Sequence, residues 1–292
     1  MAKAKSGGTR SYLRGRIAND VYSVGKDAKG KKQQVVRSLA ETVANPQTIA
    51  QMRGRMIMST IMQTVSGLAV LVDHSFDNVP AGQPSISEFI RQNYARVKAD
   101  VAAHPASGNE FALNQYQEKG VKPGRYIISQ GKGGDLYVAQ AGVSEGAKIK
   151  IYGIEDTTTF ADLKAMWEVG TEGYLTLVFV GGTKKALFFR VRLATGITDD
   201  TVITSENIAS MFSIEDPLGT DTTVTLASGT ITIGNNYSVD ALGLIATYKD
   251  EGAGYYHNTT IMQVKSTLGS PADTVLPTYP EGSQRFLNGG DL

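Results

Sequence analysis

The 292-residue sequence contains no cysteine, a single tryptophan and three histidines. Without cysteine, disulfides and thiolate metal sites are excluded, and the composition carries no mark of a redox compartment. His74, His104 and His257 stand far apart in loop-like contexts, none with HExxH spacing, so no zinc constellation is in view. No GxSxG nucleophile elbow occurs. Long apolar runs are missing too. The most apolar stretch, residues 56–72, is interrupted by Ser59, Thr60, Gln63, Thr64 and Ser66, whereas a bilayer span needs about 20 mostly apolar residues. A buried helix is expected there, with no membrane contact. The first residues carry charge with no apolar core behind it, which argues against a secretory signal.

What the chain does have is charge sorted along its length. Residues 1–55 hold 12 Lys and Arg against three acids, Asp20, Asp27 and Glu41, a net +9. The whole chain is +1, so residues 56–292 carry −8. A basic arm on an acidic body marks a part that touches something else. The candidate contact residues are Lys3, Lys5, Arg10, Arg14, Arg16, Lys26, Lys29, Lys31 and Lys32. They would meet an acidic protein neighbour or the phosphates of DNA, which need only cations. Only Tyr12 and Tyr22 are interleaved as aromatics, so no base-stacking platform is evident and protein contact is the favoured expectation.

Two other candidate motifs fail. Gly25-x4-Gly30-Lys31 has the glycine and lysine spacing of a phosphate-binding loop, but Lys32 stands where Ser or Thr must hold Mg²⁺. The following QQVVRS also reads as strand, where an anion cradle needs a helix N-terminus. Asp199-Asp200 and Glu215-Asp216 lack a twelve-residue calcium-loop pattern and read as solvated acids in turns. No catalytic, metal or cofactor residues are therefore expected, and the chain reads as non-enzymatic.

The fold class expected is α+β: an N-terminal arm and β-hairpin, a helical pair, then a β-rich sandwich or barrel region. Residues 1–9 are small, basic and Gly-rich, the composition of a loose arm. NDVYSV (19–24) and KQQVVR (32–37) predict two strands joined by a lysine-rich tip, which closes a first region at residue 45. Asn45-Pro46 marks a helix start. Ile49, Met52, Met56, Ile61, Val65, Leu68 and Val72 follow along one face, and this Met-rich stripe reads as core ahead of an adaptable partner surface. A second helix begins at Ser85, with Glu88 completing a capping box, and ends near His104-Pro105. Residues 46–104 thus form the pair and 105–120 a linker.

From about Val121 the period becomes two. Strands are predicted at 125–129, 136–140, 148–152, 174–180, 186–193, 222–226, 230–233, 242–248 and 260–264, with short helices at 159–167 and 205–212. The Asp- and Thr-rich 195–204 is a candidate divider of this 121–292 body. The tail from Gly269 reads as extended or loose.

Gly15-Arg16-Ile17-Ala18-Asn19-Asp20-Val21-Tyr22, Val35-Val36-Arg37-Ser38 and Val43-Ala44-Asn45-Pro46-Gln47-Thr48, followed by Ala50-Gln51, resemble the opening of an uncharacterised family of Bacteroidota and their phages. Its members begin with a GxIxNxVxY strand, a VRS strand, an NPxT turn and an AQ helix. LGLIATYK (242–249) and HNTTIMQ (257–263) are similar to C-terminal segments of crAss-like phage virion proteins. The resemblance implies a structural protein of a tailed-phage virion, with no catalytic group to carry over. The expected role is a ring-forming neck or tail protein between portal and tail. Its partners would be copies of itself and other virion proteins (portal, tail or capsid), with non-specific contact to packaged DNA, and it would be located in the virion. The alternatives are an auxiliary or decorating capsid protein, a DNA-backbone-binding protein and a carbohydrate-binding protein.

Overall fold

The computed structural model describes residues 3–7, 10–17, 20–26, 31–38, 49–80, 83–103, 121, 124–134, 136–182, 185–217, 219, 221–252 and 254–265. The chain divides into two compact units, Met1–Pro46 and Gln47–Leu292.

In the first unit, β1 (Lys3–Gly7), β2 (Arg10–Ile17), β3 (Asp20–Lys26) and β4 (Lys32–Ser38) form an antiparallel sheet in chain order. The predicted hairpin is β3–β4, in register from Asp20↔Ser38 to Lys26↔Lys32. The loose arm over residues 1–9 is corrected, because Lys3–Gly7 pairs with Arg10–Arg14. Lys-Ala-Lys-Ser-Gly offers no apolar alternation to read. Its ladder is made by backbone N–H and C=O groups, which every residue here supplies.

The second unit opens with α1 (Ile49–Val72) and α2 (Ser85–Ala103), which pack together. The Asn45-Pro46 helix start, the 105–120 linker and the tail from Gly269 lie outside the described residues. The Ser85–Glu88 capping box does not form. The Ser85 hydroxyl donates to the Asp73 carbonyl at 3.0 Å, and the buried Glu88 carboxylate accepts from Arg91 (2.6 and 2.8 Å) and Gln92 (2.7 Å). Side-chain donors one turn ahead compete successfully for the carboxylate.

The β region comprises β5 (Ile127–Ser129), β6 (Ala139–Gln140), β7 (Lys148–Tyr152), β8 (Tyr174–Val180), β9 (Ala186–Leu193), β10 (Phe212–Glu215), β11 (Thr223–Ala227), β12 (Thr230–Gly234), β13 (Ala241–Lys249), β14 (Tyr255–His257), β15 (Thr260–Ile261) and β16 (Gln263–Val264). One sheet runs β10-β9-β8-β13-β14 with β16 also on β13, a second runs β11-β12-β7-β6, and β15 pairs β5. A helix, α3 (Phe160–Trp167), lies between β7 and β8 in sequence; Thr159 caps it by accepting from the Asp162 N–H, and the Asp162 carboxylate accepts from the Thr159 N–H.

Alternation along β8 and β13 sorts their side chains between two cores. Leu175, Leu177 and Phe179, with Leu242, Leu244 and Ala246, join Ile149, Ile151, Ile231 and Ile233 of the second sheet and Trp167 of α3. Val178, Val180, Ala241 and Ile245 instead join Ile61, Val65, Leu68 and Phe89 of the helical pair. The pair therefore shares a core with the sheet and is no separate domain. Fully burying such a side chain contributes about 1.5–3 kcal/mol. Gly243 serves this packing: a Cβ there would meet Ile128 Cδ1 at 2.7 Å, so β5 approaches as closely as it does only over a glycine.

The candidate divider at 195–204 divides nothing, since β9 and β10 on either side of it are hydrogen-bonded neighbours. The predicted 205–212 helix is a single 3₁₀ turn, Ile208–Met211, after which Phe212 begins β10. The predicted 260–264 strand splits at Met262, whose buried side chain and N–H bond to the Tyr126 carbonyl direct the two halves to different partners.

Asn93 ties α2 to β5. Its amide donates to the Ile127 carbonyl (2.9 Å) and accepts from the Ile127 N–H (2.8 Å), fully buried. Asn93→Ala leaves both groups unpaired, and the expected loss is about 2–4 kcal/mol, read as a lower urea midpoint with an unchanged slope. Glu88 supplies a pH test. The Arg91 hydrogen bonds, ahead of opposing burial, hold its carboxyl below the usual range. That stabilisation is complete above the ordinary glutamate pKa and is lost as pH falls through the depressed one. Glu88→Gln should be less stable than the parent at pH 7 and lose less on acidification; equal pH slopes in paired urea titrations would refute this.

Candidate partner-binding site

Directly opposed residues in an antiparallel ladder share a face, and residues two apart along a strand share it too. The pairs Lys3↔Arg14, Lys5↔Tyr12 and Gly7↔Arg10 set that face on β1 and β2. Arg16↔Val21 and Val21↔Arg37 carry it to β4. Lys3, Lys5, Arg10, Arg14, Arg16 and Arg37 therefore occupy one face, six cations with no acid among the described residues of that face. Leu13, Ile17, Tyr22, Val24 and Val36 occupy the other, with Asp20, Lys26 and Lys32. The sheet is cationic on one side, while the other also carries Ser6, Ser11, Gln34 and Ser38 and is mixed in character.

Five of the nine predicted contact residues thus come together. Lys26 and Lys32 oppose each other at the hairpin end of the other face, Lys31 adjoins β4 and is exposed, and Lys29 lies outside the described residues. Arg37 was missed by the sequence reading; the signal that could find it is the β3–β4 register, which needs the turn length to be known. Like charges directly opposed in a ladder cost about 0.2–1 kcal/mol per pair, and Lys3↔Arg14 and Lys26↔Lys32 are two such pairs. An anion laid on the cationic face would relieve the first of these. β4 is also an edge strand, with Val35 and Val36 exposed, and an open edge is a template for pairing.

Several acids and one histidine of the second unit are engaged within the fold. Asp199 pairs with Lys164, Asp216 accepts from Thr222 at 3.0 Å, and Glu215 lies 3.6 Å from Arg190. The Asp77 carboxylate engages the His257 ring at 2.7 Å and accepts its backbone N–H at 2.9 Å, pinning β14 to the turn after α1. Among the described residues no group of His, Asp or Glu is arranged to hold a metal ion, and no helix is long and apolar enough to cross a membrane. The phosphate-loop candidate runs from strand into strand, Lys32 opening β4. In α1, Met58 and Met62 are exposed, so that part of the methionine stripe, expected as core, faces outward.

No protein-family model, curated protein or solved structure matches the chain.

The face assignment makes a selective prediction. Arg14, Arg16 and Arg37 changed together to Gln should elute from heparin at clearly lower salt than the parent. A variant of equal charge, with the exposed Lys98, Arg125 and Lys185 changed to Gln, should move much less. Equal shifts would show that only net charge counts.

Proposed function

We propose that the chain is a non-enzymatic structural subunit of a tailed-phage virion. In this reading it forms a ring in the neck or tail, between portal and tail, by contact with copies of itself and other virion proteins. The observation that carries the reading is the sorting of charge. The first unit, residues 1–46, has ten Lys and Arg against three acids, +7, while residues 47–292 carry −6. Within the first unit the cations gather on one sheet face. A surface of one sign on one part of a subunit and the opposite sign on another part favours heterologous, head-to-tail contact, which closes into a ring when the rotation permits. The phage motifs quoted above supply the virion context.

A DNA-backbone role uses the same cations, and decoration of the capsid uses the same self-complementarity. The sheet face carries a single aromatic position, Tyr12, so it offers phosphate contacts without base stacking.

Lys26, Lys29, Lys31 and Lys32 changed together to Gln test the choice. Assembly of the full chain, followed by light scattering and negative-stain microscopy, should weaken and lose salt dependence. Each surface pair contributes less than about 1 kcal/mol, so single substitutions should be nearly silent. Normal assembly together with lost DNA retention would favour the DNA reading. Mass spectrometry of purified virions that fails to find the chain would overturn the virion assignment.

A further inference from the structure

The helical pair covers only one end of the six-stranded sheet's face, over Val178, Val180 and Ile245. On the same face, beyond the helices, Tyr174, Arg190, Arg192, Lys249 and Tyr255 emerge at register positions that link β8, β9, β13 and β14. The Arg192 guanidinium lies over the Tyr174 ring at 4.9 Å, and Arg190 lies over the same ring at 5.5 Å. Tyr255, which is 54% exposed, sits 6.2 Å from Tyr174 between centroids. Of these, Arg192, Lys249 and Tyr255 border a hollow of about 390 Å³, completed by Thr195 and Ser213 and by Glu172, the ion-pair partner of Lys249.

The cations here are not equivalent. Arg190 engages Glu215, and Lys249 is committed to Glu172, whose hydrogen bond holds the ammonium charged. Among the described residues no carboxylate reaches ion-pair distance of Arg192. Its planar fork is preoriented by the ring beneath it and open to a ligand carboxylate. Inside the hollow, Arg192 and Lys249 against Glu172 leave one positive charge. The adjoining hollow, about 600 Å³, is lined by Glu172, Asp250 and Glu251 together with Lys249, and Asp250 is paired with Lys132, which leaves a net negative charge. A polyanion such as nucleic acid is repelled by those acids, whereas hydroxyl donors are welcomed by them. One carboxylate, a flat C–H face for an exposed tyrosine, and several hydroxyls describe a single class of small ligand.

We infer that this hollow binds an acidic saccharide. A hexuronate unit places its carboxylate on Arg192 and its ring against Tyr255, with hydroxyls directed to Glu172, Thr195 and Ser213. A following neutral sugar extends its hydroxyls toward Asp250 and Glu251. The site lies wholly within the second unit and does not depend on the assembly role proposed above.

The test is calorimetric titration of the full chain with a disaccharide of one hexuronate and one neutral hexose, cellobiouronic acid, with its carboxyl-reduced neutral counterpart and with an oligo-aspartate peptide. Cellobiouronic acid is expected to bind at about millimolar Kd. Arg192→Ala and carboxyl reduction should each weaken it about tenfold or more, the loss of one charge-assisted bidentate contact. Arg192→Lys should recover only part of that, and Tyr255→Ala should weaken binding and abolish saturation transfer to the sugar-ring protons. Thermal melts confirm that each variant folds, as expected for exposed positions. No binding at tens of millimolar, equal affinity for the neutral sugar, indifference to Arg192→Ala, or tighter binding of the peptide would each overturn the inference.

Discussion

Burial of β8 and β13 on both faces is the constraint on which the second unit depends. A strand with one wet face needs one partner layer; these strands need two, and the layers come from distant parts of the sequence. Residues from Ile57 to Val97 of the helical pair cover one face, while β7, β12 and α3 cover the other. Antiparallel sheets ordinarily leave a face to solvent, so the continuous apolar runs YLTLVFV and ALGLIAT are unusual for this topology. They explain why the helices cannot be detached as a domain. Removing α1 and α2 would expose Val178, Val180 and Ile245 together.

The same coverage shapes the surface. The helices run out before the sheet does, and the residues beyond them change character at once. Thr176, Arg190 and Arg192 continue the face that Val178 and Phe188 begin. Polar atoms there are partly sealed: the Arg190 Nε is buried without a hydrogen-bond partner among the described residues. The boundary between a packed face and a polar one is where a fold leaves room for a ligand.

Much of this was legible in sequence. Runs bounded by Gly-rich turns, such as 148–152, 174–180 and 186–193, coincide with their strands to the residue, because alternation or unbroken burial is a strong local signal. The failures share a cause. β1 has no apolar residue except alanine, β14 is only Tyr-Tyr-His, and the 205–212 segment was read as helix from composition alone. Each is held by a partner strand, which local composition does not name. The candidate contact residues were found by charge, but their sorting onto two faces waits on register. Arg37 and Arg192 were missed for that reason.

Register also decides what the first unit can be. Ten cations in 46 residues would repel one another in any compact arrangement, and a disordered arm would keep them apart at no enthalpic cost. The sheet instead concentrates six of them on one side. Such an arrangement is favoured only where something offsets the repulsion: salt, the backbone ladder itself, or an anionic surface. Screening at physiological salt acts over about 8 Å, whereas opposed residues in a ladder lie about 5 Å apart. Salt therefore relieves the closest pairs least. A bound anionic surface would relieve them directly, so the proposed partner contact and the order of this sheet would be coupled.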